Sequence, residues 1–153
     1  MARVRPFFIS FIGIALCALG TSAQSSELGD LAAALQPGEW QEFPTSGFNS
    51  ALLTQGSHHA LQYQESMKWD PVDRTMHFVG SVHLEPYIHV VYDESTNSWG
   101  RRGLPSYFGD SHGYDHMAID PVGRRFYFRQ FNGDKLEVLN LDSGQWSRSA
   151  TIA

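Results

Sequence analysis

Residues 67–78 read MKWDPVDRTMHF, and residues 117–128 read MAIDPVGRRFYF. The two stretches match at an offset of 50 positions, which aligns Asp70 with Asp120 and Arg74 with Arg124. Each has strand-like residues on both sides of an Asp-Pro pair. This pair favours a turn, because aspartate accepts hydrogen bonds from backbone N–H groups and proline presets the next φ. The duplicated stretch therefore predicts an all-β protein built from repeated antiparallel hairpins.

Three tryptophans extend this repeat beyond the hairpins. Trp40, Trp99 and Trp146 are separated by 59 and 47 residues, close to the Asp-Pro period, and each is assigned to the last strand of a unit. A repeat near 50 residues with this content is typical of the four-stranded blades of a β-propeller. An outer strand is predicted at 39–44. The first blade is predicted at 57–104, with strands at 61–69, 74–80, 87–92 and around Trp99. The second blade is predicted at 110–150, with strands at 113–119, 124–130, 136–141 and around Trp146.

The second strands of the two units also match face by face. Met76 and Phe78 align with Phe126 and Phe128, while His77 aligns with Tyr127 on the opposite face. Bulk on both faces is expected for a blade that lies between two neighbours. Because a propeller needs about four to eight blades, two units predict either a piece of a longer propeller or a chain whose copies complete a ring.

A family resemblance rests on three motifs. The segment His112-Gly-Tyr114 before a strand, the Asp-Pro turn followed by arginine, and Asp142-Ser-Gly-Gln-Trp146 resemble the kelch-type repeats of galactose-oxidase-like propellers. The resemblance covers about residues 58–149 and departs where the glycine pair ending the second strand is expected, since 79–80 read Val-Gly and 129–130 read Arg-Gln. It implies antiparallel propeller blades whose connecting loops gather at one end. The copper-radical chemistry of some relatives needs a cysteine-linked tyrosine, and Cys17, in the leader described next, is the single cysteine of the chain.

The first 23 residues have the layout of a secretory signal peptide. Arg3 and Arg5 precede an apolar run over 7–19, which is shorter than the roughly 20 residues of a membrane-spanning helix. Thr21 and Ala23 then place small side chains where signal peptidase reads them. We expect cleavage after Ala23 and export to the periplasm or the medium, with an uncleaved anchor helix as the alternative. Residues 24–38 follow as a leader or a short amphipathic helix.

The charge of the chain argues against nucleic acid as a partner. The formal net charge is −5, and removal of residues 1–23 leaves nine Lys and Arg against 16 Asp and Glu, near −7. Nucleic-acid binding depends on neutralising phosphates with Lys and Arg. A protein or glycan ligand is expected instead. No stable membrane insertion is expected after cleavage. The basic pairs 101–102 and 124–125 are interpreted as solvated strand ends.

The loops that a propeller would gather at one end hold most of the residues capable of binding. Imidazole and carboxylate groups suit zinc or copper, so a metal held by His58, His112 and His116 is one hypothesis. The alternative is that these histidines cap loops or line strands, and no cofactor is expected. Loop aromatics at Tyr107, Phe108 and Phe131 add surfaces on which a ligand could pack. The predicted ligand-binding residues are His58, His59, His83, Tyr107, His112, Tyr114 and Asn132, in a loop set that also holds Glu85, Asp110, Asp115 and Asp134.

Two functions fit these observations. The first is a non-catalytic binding module that engages a protein or a glycan through these loops. The second is a secreted enzyme of the propeller class, acting on glycans or small polar substrates with the His/Asp/Glu loop set as its site. A catalytic propeller gathers its site residues from most of its blades, and two blades supply few, so the binding module is the preferred prediction.

Overall fold

The computed structural model describes residues 26–55, 58–63, 65–82 and 85–151, and this part of the chain is mostly β. The predicted signal peptide at 1–23, with its cleavage position at Ala23, lies outside the described residues. Helix α1 spans Glu27–Ala34, and the Ser26 side chain caps it by accepting a hydrogen bond from the Gly29 amide at 3.0 Å. The short helix expected within 24–38 is therefore present. Among the described residues, no helix combines the length and the apolar character that a membrane span requires.

A small region of short elements comes next. Helix α2 spans Ser50–Leu53, strands β1 (Thr54–Gln55) and β2 (His58–His59) form an antiparallel pair, and a 3₁₀ turn covers Ala60–Tyr63. Leu52, Leu53 and Ala60 from this region are buried against the first large sheet. The region therefore acts as a cover for one face of that sheet.

The first large sheet has four antiparallel strands in the order of the chain. They are β3 (Lys68–Asp70), β4 (Thr75–Gly80), β5 (Ile88–Asp93) and β6 (Ser98–Arg102). The second sheet repeats this order with β7 (Met117–Asp120), β8 (Arg125–Phe128), β9 (Glu137–Asn140) and β10 (Trp146–Arg148). Trp99 pairs with Tyr92 in the first sheet and Trp146 with Leu139 in the second, so the tryptophans mark the fourth strands as predicted.

Three of the predicted strands are absent or differ from the observed strand by more than two residues at one end. Residues 39–44 form no strand, and Trp40 is 88% exposed. A strand needs a neighbour that pairs its amides, and the edge of β6 is instead taken by Ser46, which accepts from the Trp99 amide at 2.9 Å. The first strand of each unit is also shorter than 61–69 and 113–119, because a 3₁₀ turn occupies Ala60–Tyr63 and Tyr114 has a left-handed φ of 44°.

The two sheets pack face to face. Phe126 and Phe128 of the second sheet are fully buried in a cluster that includes Val79 of β4 and Tyr87, the residue before β5. The opposite face of the first sheet, with Phe78 and its neighbours, packs on α2. On the opposite face of the second sheet Arg125 is exposed and Tyr127 half-buried, since successive residues of a strand alternate between faces.

An ion pair between the turns of the two repeats joins the sheets. Asp70 is fully buried and accepts from Arg124 Nη1 at 2.9 and 2.7 Å. The same guanidinium binds Asp73 through Nη2 and Asp142 through Nε, the latter at 2.8 Å. Burial raises the pKa of Asp70, but the hydrogen bonds from Arg124 and the Val72 amide outweigh it and leave that pKa below its usual value. We refer to the contact of Asp70 with Arg124 as the inter-repeat ion pair.

The prediction that 124–125 is a pair of solvated strand ends is therefore wrong for Arg124. Its side chain is only 15% exposed because three carboxylates surround it. Arg101 also has specific partners, since it donates to the carbonyl oxygens of Ala51, Leu52 and Thr54 at 2.6 to 2.9 Å. Both arginines fasten separate parts of the chain together.

Candidate ligand-binding site at the loop edge of the second sheet

An open cavity of about 290 Å³ lies where two loops meet beside the second sheet. One loop connects β6 to β7, and the other connects β8 to β9. The residues around the cavity are mostly polar, with two aromatic rings among them. The lining consists of Tyr107, Gly109, Gln130, Phe131, Asn132, Gly133, Asp134, Lys135, Glu137 and Arg148.

The loop after β8 is shaped by a tight turn. The Gly133 amide donates to the Gln130 carbonyl at 2.9 Å, and Asn132 between them has a φ of 57°. Asparagine tolerates this left-handed conformation better than most residues. A Cβ on Gly133 would lie 2.9 Å from the Gln130 carbonyl oxygen, so the close approach requires glycine. The turn leaves Asn132 exposed at the rim of the cavity.

A paired carboxylate forms one wall of the cavity. Glu137 is 1% exposed and accepts from Arg148 at 2.6 Å and from Gln130 Nε2 at 2.7 Å. The oxygen of the Gln130 amide accepts from the Gly109 amide at 2.8 Å, which ties the two loops together. The hydrogen bond to Glu137 raises the pKa of Arg148. The buried carboxylate of Glu137 is stable here because Arg148 and Gln130 both donate hydrogen bonds to it.

Tyr107 presents an exposed aromatic ring beside this wall. The Arg148 guanidinium carbon lies 4.3 Å from the centroid of the ring, within cation–π range, and Arg148 Nη2 donates to the Tyr107 carbonyl at 3.1 Å. Phe108 packs on Tyr107 with a centroid distance of 5.7 Å. Tyr107 stays 40% exposed and Phe131 36% exposed. Partial burial, followed by the charge of Glu137, raises the pKa of Tyr107, so its hydroxyl remains a neutral donor at pH 7.

An aromatic cluster supports Phe131 from below. His112 is 5% exposed, and its ring centroid lies 4.2 Å from that of Tyr63 and 4.9 Å from that of Tyr114. The Tyr87 hydroxyl donates to the His112 carbonyl at 3.0 Å and accepts from the Phe131 amide at 3.1 Å. His112 and Tyr114 therefore lie in the packing beneath the site.

The structure unites part of the predicted set of binding residues. Tyr107 and Asn132 line the same cavity, and His112, Tyr114 and His116 share the adjoining aromatic cluster. His59 is exposed on β2, and Asp115 lies elsewhere, where it binds Lys68 at 2.7 Å and also Ser66. The side chain of His58 and all of His83 lie outside the described residues.

The metal hypothesis stays a prediction. Where side chains are described, no three His, Asp or Glu residues group closely enough to hold a metal ion. The rings of His112 and His116 both pack against Phe131, at centroid distances of 5.4 and 6.4 Å.

Gln130, Glu137 and Arg148 are site residues that the sequence did not indicate. A signal was nevertheless present, because Gln130 stands where the resemblance to kelch repeats predicts a glycine pair. That departure puts a long amide side chain at the end of β8, where it joins the two loops through Gly109 and Glu137. No family model, curated protein or solved structure matches this chain.

Proposed function

We propose that this protein is a non-catalytic binding module that recognises a glycan through the cavity between Tyr107 and Asn132. The observation that carries the proposal is an exposed tyrosine ring, stacked with Arg148, beside a loop of polar side chains. A sugar offers an apolar ring face for the aromatic surface and hydroxyl groups for polar partners. Asn132 supplies donors and an acceptor, Asp134 supplies acceptors and Lys135 supplies donors.

The rigidity of the site also supports binding. Arg148, Glu137 and Gln130 bind one another, so the tyrosine is held before a ligand arrives. A site organised in advance loses less conformational freedom on binding. The open shape of the cavity suits one or two residues of a longer glycan chain better than a fully enclosed metabolite.

We further propose that the two sheets are adjacent kelch-like propeller blades and that the protein is exported. Two features support the blades: the repeated strand order, and the packing of the two sheets with an ion pair between equivalent turns. Residues 1–23 support export. If copies complete a ring, sedimentation velocity will give a mass that is a multiple of the mass of one mature chain. A monomer at all concentrations contradicts ring completion by copies.

The glycan proposal is tested by calorimetric titration with soluble oligosaccharides. Cellohexaose, xylohexaose and laminarihexaose offer neutral chains of different shape, and we expect one of them to bind. Replacement of Tyr107 by alanine should then weaken binding about tenfold or more, because the stacking surface is lost. N132A should weaken it several-fold by removing hydrogen bonds.

The matched control is Trp40→Ala. Trp40 is the more exposed aromatic residue, at 88%, and does not line the cavity. Binding that is unchanged in Y107A but lost in W40A would contradict this site. Failure of all three oligosaccharides and of a broader immobilised glycan panel would overturn the glycan function.

A further inference from the structure

A second cavity, of about 340 Å³, lies in the cleft between the two sheets. Its polar side is formed by His77, His89 and Arg102 of the first sheet. Its apolar side is formed by Leu139, Leu141 and Trp146 of the second. The volume is within the range of small-molecule sites, which combine apolar walls with a few converging polar groups.

The two histidines form a hydrogen-bonded chain with Thr75. Thr75 Oγ1 lies 3.0 Å from His77 Nε2, and His77 Nδ1 lies 3.1 Å from His89 Nε2. His89 is 2% exposed, and its Nδ1 atom has no hydrogen-bond partner among the described residues. A buried polar atom without a partner is costly. The chain of hydrogen bonds therefore ends at a buried atom without a partner among the described residues.

In one of its two donor–acceptor directions, this chain of hydrogen bonds leaves an N–H donor that can bind an anion. When the Thr75 hydroxyl donates to His77 and His77 Nδ1–H donates to His89, the remaining proton of His89 lies on Nδ1. In that tautomer His89 offers an N–H donor. Burial lowers the pKa of His77 to about 4 and that of His89 to about 3, so both rings are neutral at pH 7 and free to adopt this arrangement.

Arg102 supplies a positive charge near His89, where it helps to lower the pKa of that ring. His89 and Arg102 are directly paired across β5 and β6, so their side chains leave the same face of the sheet. No carboxylate or hydrogen-bond acceptor among the described residues pairs with the Arg102 guanidinium. Asp73 also lines the cleft, but its carboxylate is bound by Arg124.

We propose that the cleft binds a small organic carboxylate. One of its oxygens pairs with the Arg102 guanidinium and the other accepts from the Nδ1–H of His89 after the buried ring turns toward the cleft, and its apolar part packs against Leu139, Leu141 and Trp146. Carboxylates pair well with guanidinium groups, and an added imidazole donor holds the second oxygen. Binding selects the tautomer of His89 that carries the proton on Nδ1. This site is separate from the proposed glycan site and does not depend on it.

The test uses benzoate as the probe and the ¹⁵N-histidine-labelled protein at pH 7. We expect benzoate to shift the His89 and His77 ring nitrogens and to increase the fraction of His89 protonated at Nδ1. Benzamide, which has the same shape without the charge, should bind about tenfold or more weakly. R102Q should weaken benzoate binding to a similar extent.

Arg125→Gln is the matched control, because Arg125 is exposed on the opposite face of the second sheet. It should leave benzoate binding unchanged. Thr75→Val removes the first hydrogen bond of the chain, and it should lower the Nδ1-protonated fraction of His89. The proposal is overturned if benzoate at about 10 mM moves neither ring, or if benzamide or the R102Q protein binds as tightly as benzoate and the unaltered protein do.

Discussion

At the scale of single residues, the inter-repeat ion pair shows how two turns that differ at one position, Asp73 against Gly123, take on different tasks. Asp70 and Asp120 both accept from the backbone amide two positions later, at 3.0 Å. Asp70 in addition binds Arg124, whereas Arg74, the equivalent of Arg124, binds Glu94 at 2.6 Å. The turn residues therefore both shape a hairpin and connect one sheet to the next.

Replacing Asp70 by asparagine should lower the free energy of unfolding by about 2 to 3 kcal/mol at pH 7. The asparagine retains the turn, but the largely buried guanidinium of Arg124 loses one of its carboxylate partners. Because the folded pKa of Asp70 is depressed, this contribution is present above about pH 4 and disappears as the pH falls through the folded pKa. Urea denaturation of D70N and the unaltered protein at pH 7 and at pH 3 measures the loss in the free energy of unfolding at each pH.

Asp120→Asn is the matched control for this prediction. Asp120 has the same turn hydrogen bonds and no arginine partner among the described residues, so we expect a loss of less than about 1 kcal/mol. Equal losses for D70N and D120N would mean that the turn, and not the ion pair, provides the stability.

The buried histidines predict a second pH effect. Burial depresses the pKa of His77 to about 4 and of His89 to about 3, below the usual 6.5. Between these limits the unfolded chain binds more protons, so stability is full above pH 6.5 and falls as the pH drops toward 4. Each ring should contribute a slope of up to about 1.4 kcal/mol per pH unit. Denaturation curves between pH 4 and 7 should show a clearly shallower slope for H89Q, whereas H59Q, which alters an exposed histidine, should leave the slope unchanged.

At the scale of elements, helix α2 has only four residues and depends on its contacts. Leu52 and Leu53 cover Phe78 and Val90 of the first sheet. Carbonyl groups at a helix C-terminus have no partner within the helix, and Arg101 of β6 donates to those of Ala51 and Leu52. A residue in the sheet thus holds in place the helix that covers it.

Arg101→Gln should release α2 from the sheet. We expect a loss of about 1 to 2 kcal/mol and faster amide hydrogen exchange at Leu52 and in β1, because the arginine's hydrogen bonds to backbone carbonyls are removed. Hydrogen exchange read by NMR checks this residue by residue. R102Q changes the neighbouring side chain, which holds no backbone carbonyl among the described residues, and should leave exchange in α2 as it is.

At the scale of the whole molecule, the two sheets should unfold as one unit. Phe126 of the second sheet packs on His77 and His89 of the first, with centroid distances of 5.3 and 5.9 Å, and the inter-repeat ion pair adds a second link. Trp99 reports on the first sheet and Trp146 on the second. In urea, the fluorescence transitions of W99F and W146F, each made in a chain that also carries W40F and W69F, should each coincide with the circular-dichroism transition of the same variant. Fluorescence and circular-dichroism transitions that separate within either variant would show that the sheets unfold independently.

The sequence allowed most of the strand plan to be predicted, because Asp-Pro turns and alternating aromatics are local signals. It failed for residues 39–44, where strand formation depends on a partner that Ser46 had already occupied. The tasks of Arg74 and Arg124 could not be separated, since their partners lie far away in the chain. Of the candidate site, Tyr107 and Asn132 were predicted from loop position, whereas Arg148 depends on a contact with Tyr107 that no spacing reveals. His77 and His89 were not predicted as site residues, because their alternating positions in β4 and β5 are equally typical of side chains that only pack in the core.

The inter-repeat ion pair also has a direction. Its acid belongs to the earlier repeat and its arginine to the later one, so the two surfaces that meet are unlike. A contact between unlike surfaces is heterologous, and its repetition generates a constant rotation that either closes into a ring or continues as a helix. Asp120 repeats the position of Asp70 at the next turn. The angle between the two sheets at this one ion pair therefore fixes the symmetry of any assembly extended in the same way.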